Sequence, residues 1–318
     1  MSGEIQKVVE GLRVLGIDHD VLKSITVIEG EAVNETPLRI GKGRGGLGEV
    51  DLPVLRDPRG VPYIPASTIK GATRSLLEAV ARAGNYKVCE LFNDATCSFA
   101  VEFLNYVYQV AQKSRSFDEL KKTLLDKQSR GVIAEIASRR RIRDAEAVVS
   151  NIMSSIVQVS SVDNLLSVLK QYSPCIICRV FGNQALASKA IFFDVYPVKD
   201  QEVKLATRAR VAIDRFREAA RSGALFEYEF IPPGYRWRFR AELKNIDITA
   251  CDSDVCKLLR TYLKMFASQG IMFGGMKSVG HGVLRLDPEK TRVVVYVVKD
   301  LSLVEEKNIT LRELISRW

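Results

Sequence analysis

Apolar and polar side chains alternate from Ser24 to Val33 (SITVIEGEAV), the period of a strand buried on one face. A glycine-rich stretch follows, and then the extended, proline-punctuated run DLPVLRDPRGVPYIPAS, which holds a DPRG turn. Pro65 and Ser67 lead into STIKGATRSLLEAVARAG, whose apolar positions recur at helical spacing. Ser67 or Thr68 is the expected N-cap of this helix, and Gly84 its close. From Tyr86 to Tyr172 the period is 3.6 throughout, as in FLNYVYQVAQ, FDELKKTLLDKQ and DAEAVVSNIMSSIV. Alternation returns in KAIFFDVYPV, ALFEYEFIPPG and YRWRFRAELKN, with one helix over about Ser253 to Ala267. A second glycine-rich loop, FGGMKSVGHG, precedes two last strand-like runs, VLRLD and RVVVYVV.

This order reads as an α+β fold: a ferredoxin-like (RRM-like) palm interrupted by a helical lobe. The expected division is a helical extension at 1–22, a core made of 23–85 and 174–318, and a helical insertion at 86–173. The first twenty residues are amphipathic and carry acids, unlike a signal or transit peptide, and no apolar run reaches the ~20 residues of a membrane span. A cytoplasmic protein without a membrane partner is the expectation.

Composition changes the picture in two ways. The 318 residues carry a formal net charge of +9, which favours a polyanionic partner. Only His19 and His281 are histidines, so a histidine-based metal site or a catalytic histidine pair is not expected.

Neither glycine-rich loop is a nucleotide cradle. A Walker A loop needs G-x-x-x-x-G-K-[ST] opening a helix. In GGMKS a methionine separates Gly275 from Lys277, and GKGRGG has no Lys-Ser/Thr and no following helix. The loops read either as turns or as backbone able to approach a phosphate closely. Arg39, Lys42 and Arg44 flank the first, and Lys277 and His281 belong to the second. Lys70 and Arg74, four apart, share one side of the STIKGATR helix near an N-terminus that favours anions. Three such basic elements in a cationic chain point to nucleic acid.

Cys89 and Cys97 lie at one end of the helical region and Cys175 and Cys178, as C-x-x-C, at the other. Four thiolates meeting there would make a structural zinc site that staples the lobe to the palm; free buried thiols or a disulfide are the alternatives. Cys251 and Cys256 pack as small apolar groups or pair with each other.

The pieces PLRIGKG, GEVDLPVLRDPRGVPYIPASTIKGATRSLLE, CRVFGNQ, KAIFFDVYPV, EVKLATRARVAIDRFREAARSGALFEYEFIPPGYRWRFRAEL and FGGMKSVGHGVLRLD resemble, in this order, the backbone subunit of type III CRISPR effector complexes, in the repeat-associated mysterious protein (RAMP) superfamily. They cover about two-thirds of the chain. The resemblance implies a filament of copies or paralogues along a guide RNA, with target RNA and other type III subunits as further partners. It implies a thumb-like hairpin from EVKLATRARVAIDRFREAARSGALF, with Arg208, Arg210 and Arg215 available to phosphates. It also implies that Asp51, at the position of the family's loop aspartate, cuts target RNA with a divalent metal (magnesium or manganese). Chemically, one carboxylate can hold a hydrated divalent ion or align a 2′-hydroxyl for attack on its own phosphate. The alternatives are an Asp51 that merely caps a turn, in a paralogue that only binds and scaffolds, or a guide-processing endoribonuclease. The last typically uses an N-terminal histidine, whereas His19 precedes the first strand. Arg39 stands where family members often have histidine, which suits guide binding and alters the local electrostatics.

Overall fold

A computed structural model describes residues 2–46, 50–90, 96–214 and 216–318. Helix α1 (Gly3–Leu12) runs into a π-helical turn (Arg13–Ile17), and β1 (Ser24–Asn34) and α2 (Ala66–Ala83) follow. Six helices come next: α3 (Thr96–Lys113), α4 (Phe117–Leu124), α5 (Lys127–Arg139), α6 (Ala145–Val157), α7 (Val162–Lys170) and α8 (Ile176–Phe181). The remainder is β2 (Ala190–Phe192), β3 (Tyr196–Pro197), β4 (Ala206–Asp214), β5 (Ala219–Phe230), β6 (Arg236–Lys244), α9 (Asp254–Ser268), β7 (Ile271–Met272), β8 (Val283–Leu286), β9 (Arg292–Lys299), β10 (Ser302–Thr310) and α10 (Leu311–Ser316). Among the described residues no helix is long and apolar enough to cross a membrane.

The chain divides into two compact units. One is helical and contains residues 1–22 and 78–189; the other contains 23–77 and 190–318. Residues 1–22, expected as an extension, lie inside the helical unit. Ile5, Val8, Val9 and Leu12 share a core with Phe103, Val107, Leu165 and Leu169. At Gly11 a Cβ would sit 2.5 Å from Leu166 Cδ2, so α1 meets α7 closely and a larger residue would have to push the leucine aside. FDELKKTLLDKQ breaks into two helices because the Asp126 side chain accepts the Ser129 N–H at 2.6 Å and starts α5.

In the second unit the sheet is antiparallel, with β10, β9, β1, β6 and β2 side by side. β8 also pairs with β1, end to end with β9, and β3 pairs with β6 beside β2. One sheet face is apolar: Ile28, Ala32, Trp237, Phe239, Ala241 and Leu243 are buried. Phe239 meets Phe266 of α9 edge-on at 5.3 Å, and Thr73 of α2 hydrogen-bonds Tyr262 of α9 at 3.1 Å. β4 and β5 form a separate two-stranded hairpin.

KAIFFDVYPV is two short strands, not one. Asp194 sits in the break, and its carboxylate accepts the Ala66 N–H at 2.7 Å. The start of α2 is therefore capped by a residue 128 positions away, not by Ser67 or Thr68. β10 was not expected from the sequence. Its edge carries Glu305, Glu306 and Lys307 and a register shift between Glu305 and Lys307, devices that keep an edge strand from pairing further and that erase its apolar alternation. Of the two readings of Cys251 and Cys256, packing or pairing, the structure has the pairing, as a disulfide.

Candidate nucleic-acid interface

The two glycine-rich loops meet, and glycine is what lets them. Gly275 N–H donates to Arg39 O at 2.9 Å and Gly282 N–H to Pro37 O at 2.8 Å. A Cβ at Gly274, whose φ is +81°, would lie 2.2 Å from Arg39 O. The approach is anchored by Asn34, buried at the end of β1. Its amide donates to Thr36 O and Pro232 O and accepts from Tyr235 N–H and Trp237 Nε1–H, so both ends are fully used.

The Arg39 guanidinium lies between Gly41 and Gly275, whose Cβ positions would fall 3.1 and 3.2 Å from its nitrogens. No carboxylate pairs with it among the described residues, its Nε is buried without a partner, and burial lowers its pKa. Two further arginines come from the hairpin. Arg208 stacks over Phe230 at 5.1 Å and Arg210 over Tyr228 at 5.2 Å, and neither has a carboxylate partner among the described residues. Arg215 lies outside the described residues.

His281 sits under this cluster and is only 2 % exposed. Its ring packs 5.7 Å from Tyr228 and 6.0 Å from Phe230, with Nε2 3.5 Å from the tyrosine hydroxyl. Burial lowers its pKa, and Arg210, Arg208 and Arg39 lower it further. His281, expected among the RNA-contacting residues, is buried beneath the arginines and not at the surface, because the rings of Tyr228 and Phe230 cover it.

Asp51 is exposed and joins the same place from the other side. Its loop returns on itself through Gly45 N–H to Asp51 O and Lys42 N–H to Pro53 O. It is then laced to β5: Leu52 N–H donates to Glu227 O, and Glu229 N–H donates to Leu52 O. Asp51 Oδ2 accepts the Glu227 N–H at 2.8 Å. Glu229 reinforces the lacing by accepting the Val54 N–H at 3.0 Å and the Arg56 guanidinium at 2.6 Å. Tyr228 is thus the hub, with Arg210 on its ring, His281 at its hydroxyl and Leu52 bridged to its backbone. Nothing in FEYEF singles it out except an aromatic at an inward strand position. Lys42 and Arg44 are exposed on the first loop, of which Leu47 to Glu49 lie outside the described residues.

Lys277 lines a cleft of about 650 Å³ with Thr68, Gly71 and Ser75 of α2 and Gly274. Lys70 and Arg74 occupy a different stripe of α2 from these cleft residues, by the 100° step of a helix. Lys70 is half-buried, and burial and the nearby Arg74 lower its pKa. The predicted basic residues thus fall into an Arg39–Arg208–Arg210 cluster, a cleft edged by Lys277, and a separate Lys70–Arg74 pair.

In the helical unit the four thiols of Cys89, Cys97, Cys175 and Cys178 lie within 4.8 Å of one another. Cys89, Cys97 and Cys178 are buried and Cys175 half-buried. Cys89 and Cys178 sulfurs are 3.3 Å apart, and Cys175 and Cys178 N–H groups point to the sulfurs of Cys97 and Cys175 at 3.2 and 3.5 Å. Four convergent sulfurs with backbone N–H support fit a tetrahedral soft-metal site. All four belong to the helical unit itself, so the cluster ties residues 89 and 97 to 175 and 178 within it.

Among curated proteins the chain is 25% identical over 182 residues to the CRISPR system Cmr subunit Cmr6 of Pyrococcus furiosus, covering 57% of this chain and 43% of that protein. It is 37% identical over 84 residues to the CRISPR system Cms endoribonuclease Csm3 of Methanothermobacter thermautotrophicus, covering 23% and 34% respectively. It therefore spans less than half the length of either relative. A chain in a cryo-EM structure of the type III-B Cmr-beta bound to cognate target RNA aligns over 92% of this chain and 68% of its own, at 16% identity and a TM-score of 0.42. The RAMP superfamily model matches residues 33–285, from the end of β1 through β8. That span includes both glycine-rich loops, the hairpin and the cysteine cluster, and the chain belongs to the RAMP superfamily.

Proposed function

We propose that the chain is a backbone subunit of a type III CRISPR effector complex that grips guide RNA and cleaves complementary target RNA at Asp51. The observation that carries this reading is the convergence of Arg39, Arg208 and Arg210, none with a carboxylate partner among the described residues, around Tyr228 beside Asp51. Guanidinium groups left uncompensated and partly desolvated favour a phosphate ligand. Similarity to Cmr6 and Csm3, the second named an endoribonuclease, supports it. The strand order β8–β1–β6–β2, with α2 after β1 and α9 after β6, supports a ferredoxin-like palm. On this reading β4–β5 is the thumb, the helices are the lid, and copies, paralogues or other type III subunits complete the filament.

Asp51 Oδ2 is held by the Glu227 N–H, while Oδ1 has no partner among the described residues. Oδ1 can accept the proton of a 2′-hydroxyl aligned on its own phosphate. A divalent cation held by this carboxylate would supply charge neutralisation at that phosphate. Glu229 and Arg56 keep the loop seated so that the carboxylate does not wander.

The second reading is a non-catalytic scaffold with the same grip. It is favoured by the hydrogen bond from Glu227 to Asp51, which is also what a structural cap would make. Asp51→Ala separates the two in the reconstituted complex with magnesium or manganese. Cleavage of guide-matched RNA should fall by about 100-fold or more while guide binding persists. Unchanged cleavage assigns Asp51 to the cap.

A further inference from the structure

The sheet of the second unit has a face that the interface above does not use. Along β6, Trp237, Phe239, Ala241 and Leu243 point to the core, so Arg236, Arg238, Arg240 and Glu242 point the other way. Register places Arg238 opposite Glu31 of β1 and Tyr196 of β3, and Glu29 between Arg240 and Arg292. The carboxylates there are committed. Glu29 and Glu242 are each held by Arg240 at 2.7 Å, and Glu31 by Lys290 at 2.9 Å and Arg236 at 3.5 Å. Arg238 is exposed and has no carboxylate partner among the described residues. Arg292 is also exposed, and its side chain bonds only Asn308, at 2.7 Å. Both line a hollow of about 440 Å³ with Arg240, Lys290 and Tyr296.

Aromatic surfaces border the same arginines. Tyr63 and Tyr196 stack in parallel, centroids 5.3 Å apart, and Arg240 lies 5.3 Å over Phe193, which is 37 % exposed. Sheet faces that combine aromatic rings with free arginines take single-stranded RNA, the rings stacking bases and the arginines meeting phosphates.

We propose that this outer sheet face, centred on Arg238 and bordered by Tyr196 and Phe193, is a second site for single-stranded RNA, separate from the Arg39–Arg208–Arg210 cluster. It rests on the reading that the chain is an RNA-binding subunit. Charge complementarity selects the ligand: once the ion pairs are closed, what remains is an uncompensated Arg238, with Arg292 bonded to Asn308 and near Glu313, beside rings. A protein strand added at the edge fits less well, because β10 is shielded by Glu305, Glu306 and its register shift.

The test uses the full chain and a short oligouridylate carrying 4-thiouridine, with photo-crosslinked peptides mapped by mass spectrometry. Crosslinks are expected to peptides containing Phe193 or Tyr196. They should persist in Arg208→Ala/Arg210→Ala and vanish in Arg238→Ala/Arg292→Ala. The latter pair should also weaken binding roughly tenfold and reduce the salt slope by about 1.4, two single-strand phosphates. Arg238 has no carboxylate partner among the described residues to lose and Arg292 loses only its bond to Asn308, so an unchanged melting curve confirms folding, and Arg238→Lys should restore part of the affinity. Crosslinks confined to residues 39–56 and 206–230 overturn this inference and leave the earlier reading standing. No RNA binding by the unaltered chain overturns both. Altered self-association in the Arg238/Arg292 variant with RNA binding intact makes the face a protein surface and also overturns it.

Discussion

A buried imidazole with three arginines around it resists protonation. His281 is lowered from an ordinary value of 6.5 by burial first and then by Arg210, Arg208 and Arg39. In the unfolded chain it takes up a proton near its ordinary pKa; in the folded protein it does so only at lower pH. Between the two values the unfolded state binds more protons, so stability rises with pH. The contribution is full above the unfolded value and lost as pH falls through the folded one. Melting temperatures from about pH 5 to about pH 8 should fall on the acid side more steeply for the unaltered protein than for His281→Phe. Parallel curves would remove the histidine from this role. The residue was visible in the sequence only as one of two histidines in a glycine-rich loop. Its burial was not visible, because the rings that cover it come from positions 228 and 230.

Hairpin β4–β5 is a two-stranded element, and such hairpins are marginal alone. Its root is what holds it: Tyr228 and Phe230 are buried, and the Asp51 loop is laced along residues 227–229. Toward the tip Ile213, Leu225 and Phe216 are exposed, the last at 97 %. The arginines that stack on the root therefore sit over its buried, hydrogen-bonded part. Replacing Arg208 and Arg210 together by alanine should weaken guide-RNA binding and lower the slope of log affinity against log salt by about 1.4. Filter binding at several salt concentrations measures it, and an unaltered slope would show that neither meets a phosphate. At the same scale, alternation located β1, β5 and β6 well, since each buries one face. It missed the break at Asp194 and the strand β10, because one is decided by a helix end brought from residue 66 and the other by edge protection.

At the scale of the molecule, the helical unit and the sheet unit each have their own core, and the thiol cluster belongs to the first. Four sulfurs within 4.8 Å cannot all ionise without a cation, so a metal bound there would be coupled to the folding of this unit. Metal analysis of the purified protein should find about one zinc per chain. Cys175→Ser should lose it and lower the melting temperature by about 10 °C. Unmutated protein without zinc would leave a cluster of buried thiols.

Local chemistry was enough to determine most of the helices and the strands that bury one face, that the chain is cationic, and which loops are rich enough in glycine to approach a phosphate. Period, glycine content and charge are properties of neighbouring residues. Only the tertiary structure decided which basic residues lie together. It joined Arg39 to Arg208 and Arg210 through Tyr228, set Lys70 and Arg74 on another stripe, buried His281, and put α1 into the helical core. It also exposed a face of the sheet whose arginines and rings come from three separate strands and two loops. Those outcomes depend on strand register and on which groups lose water together, and both are fixed by contacts between residues far apart in the chain.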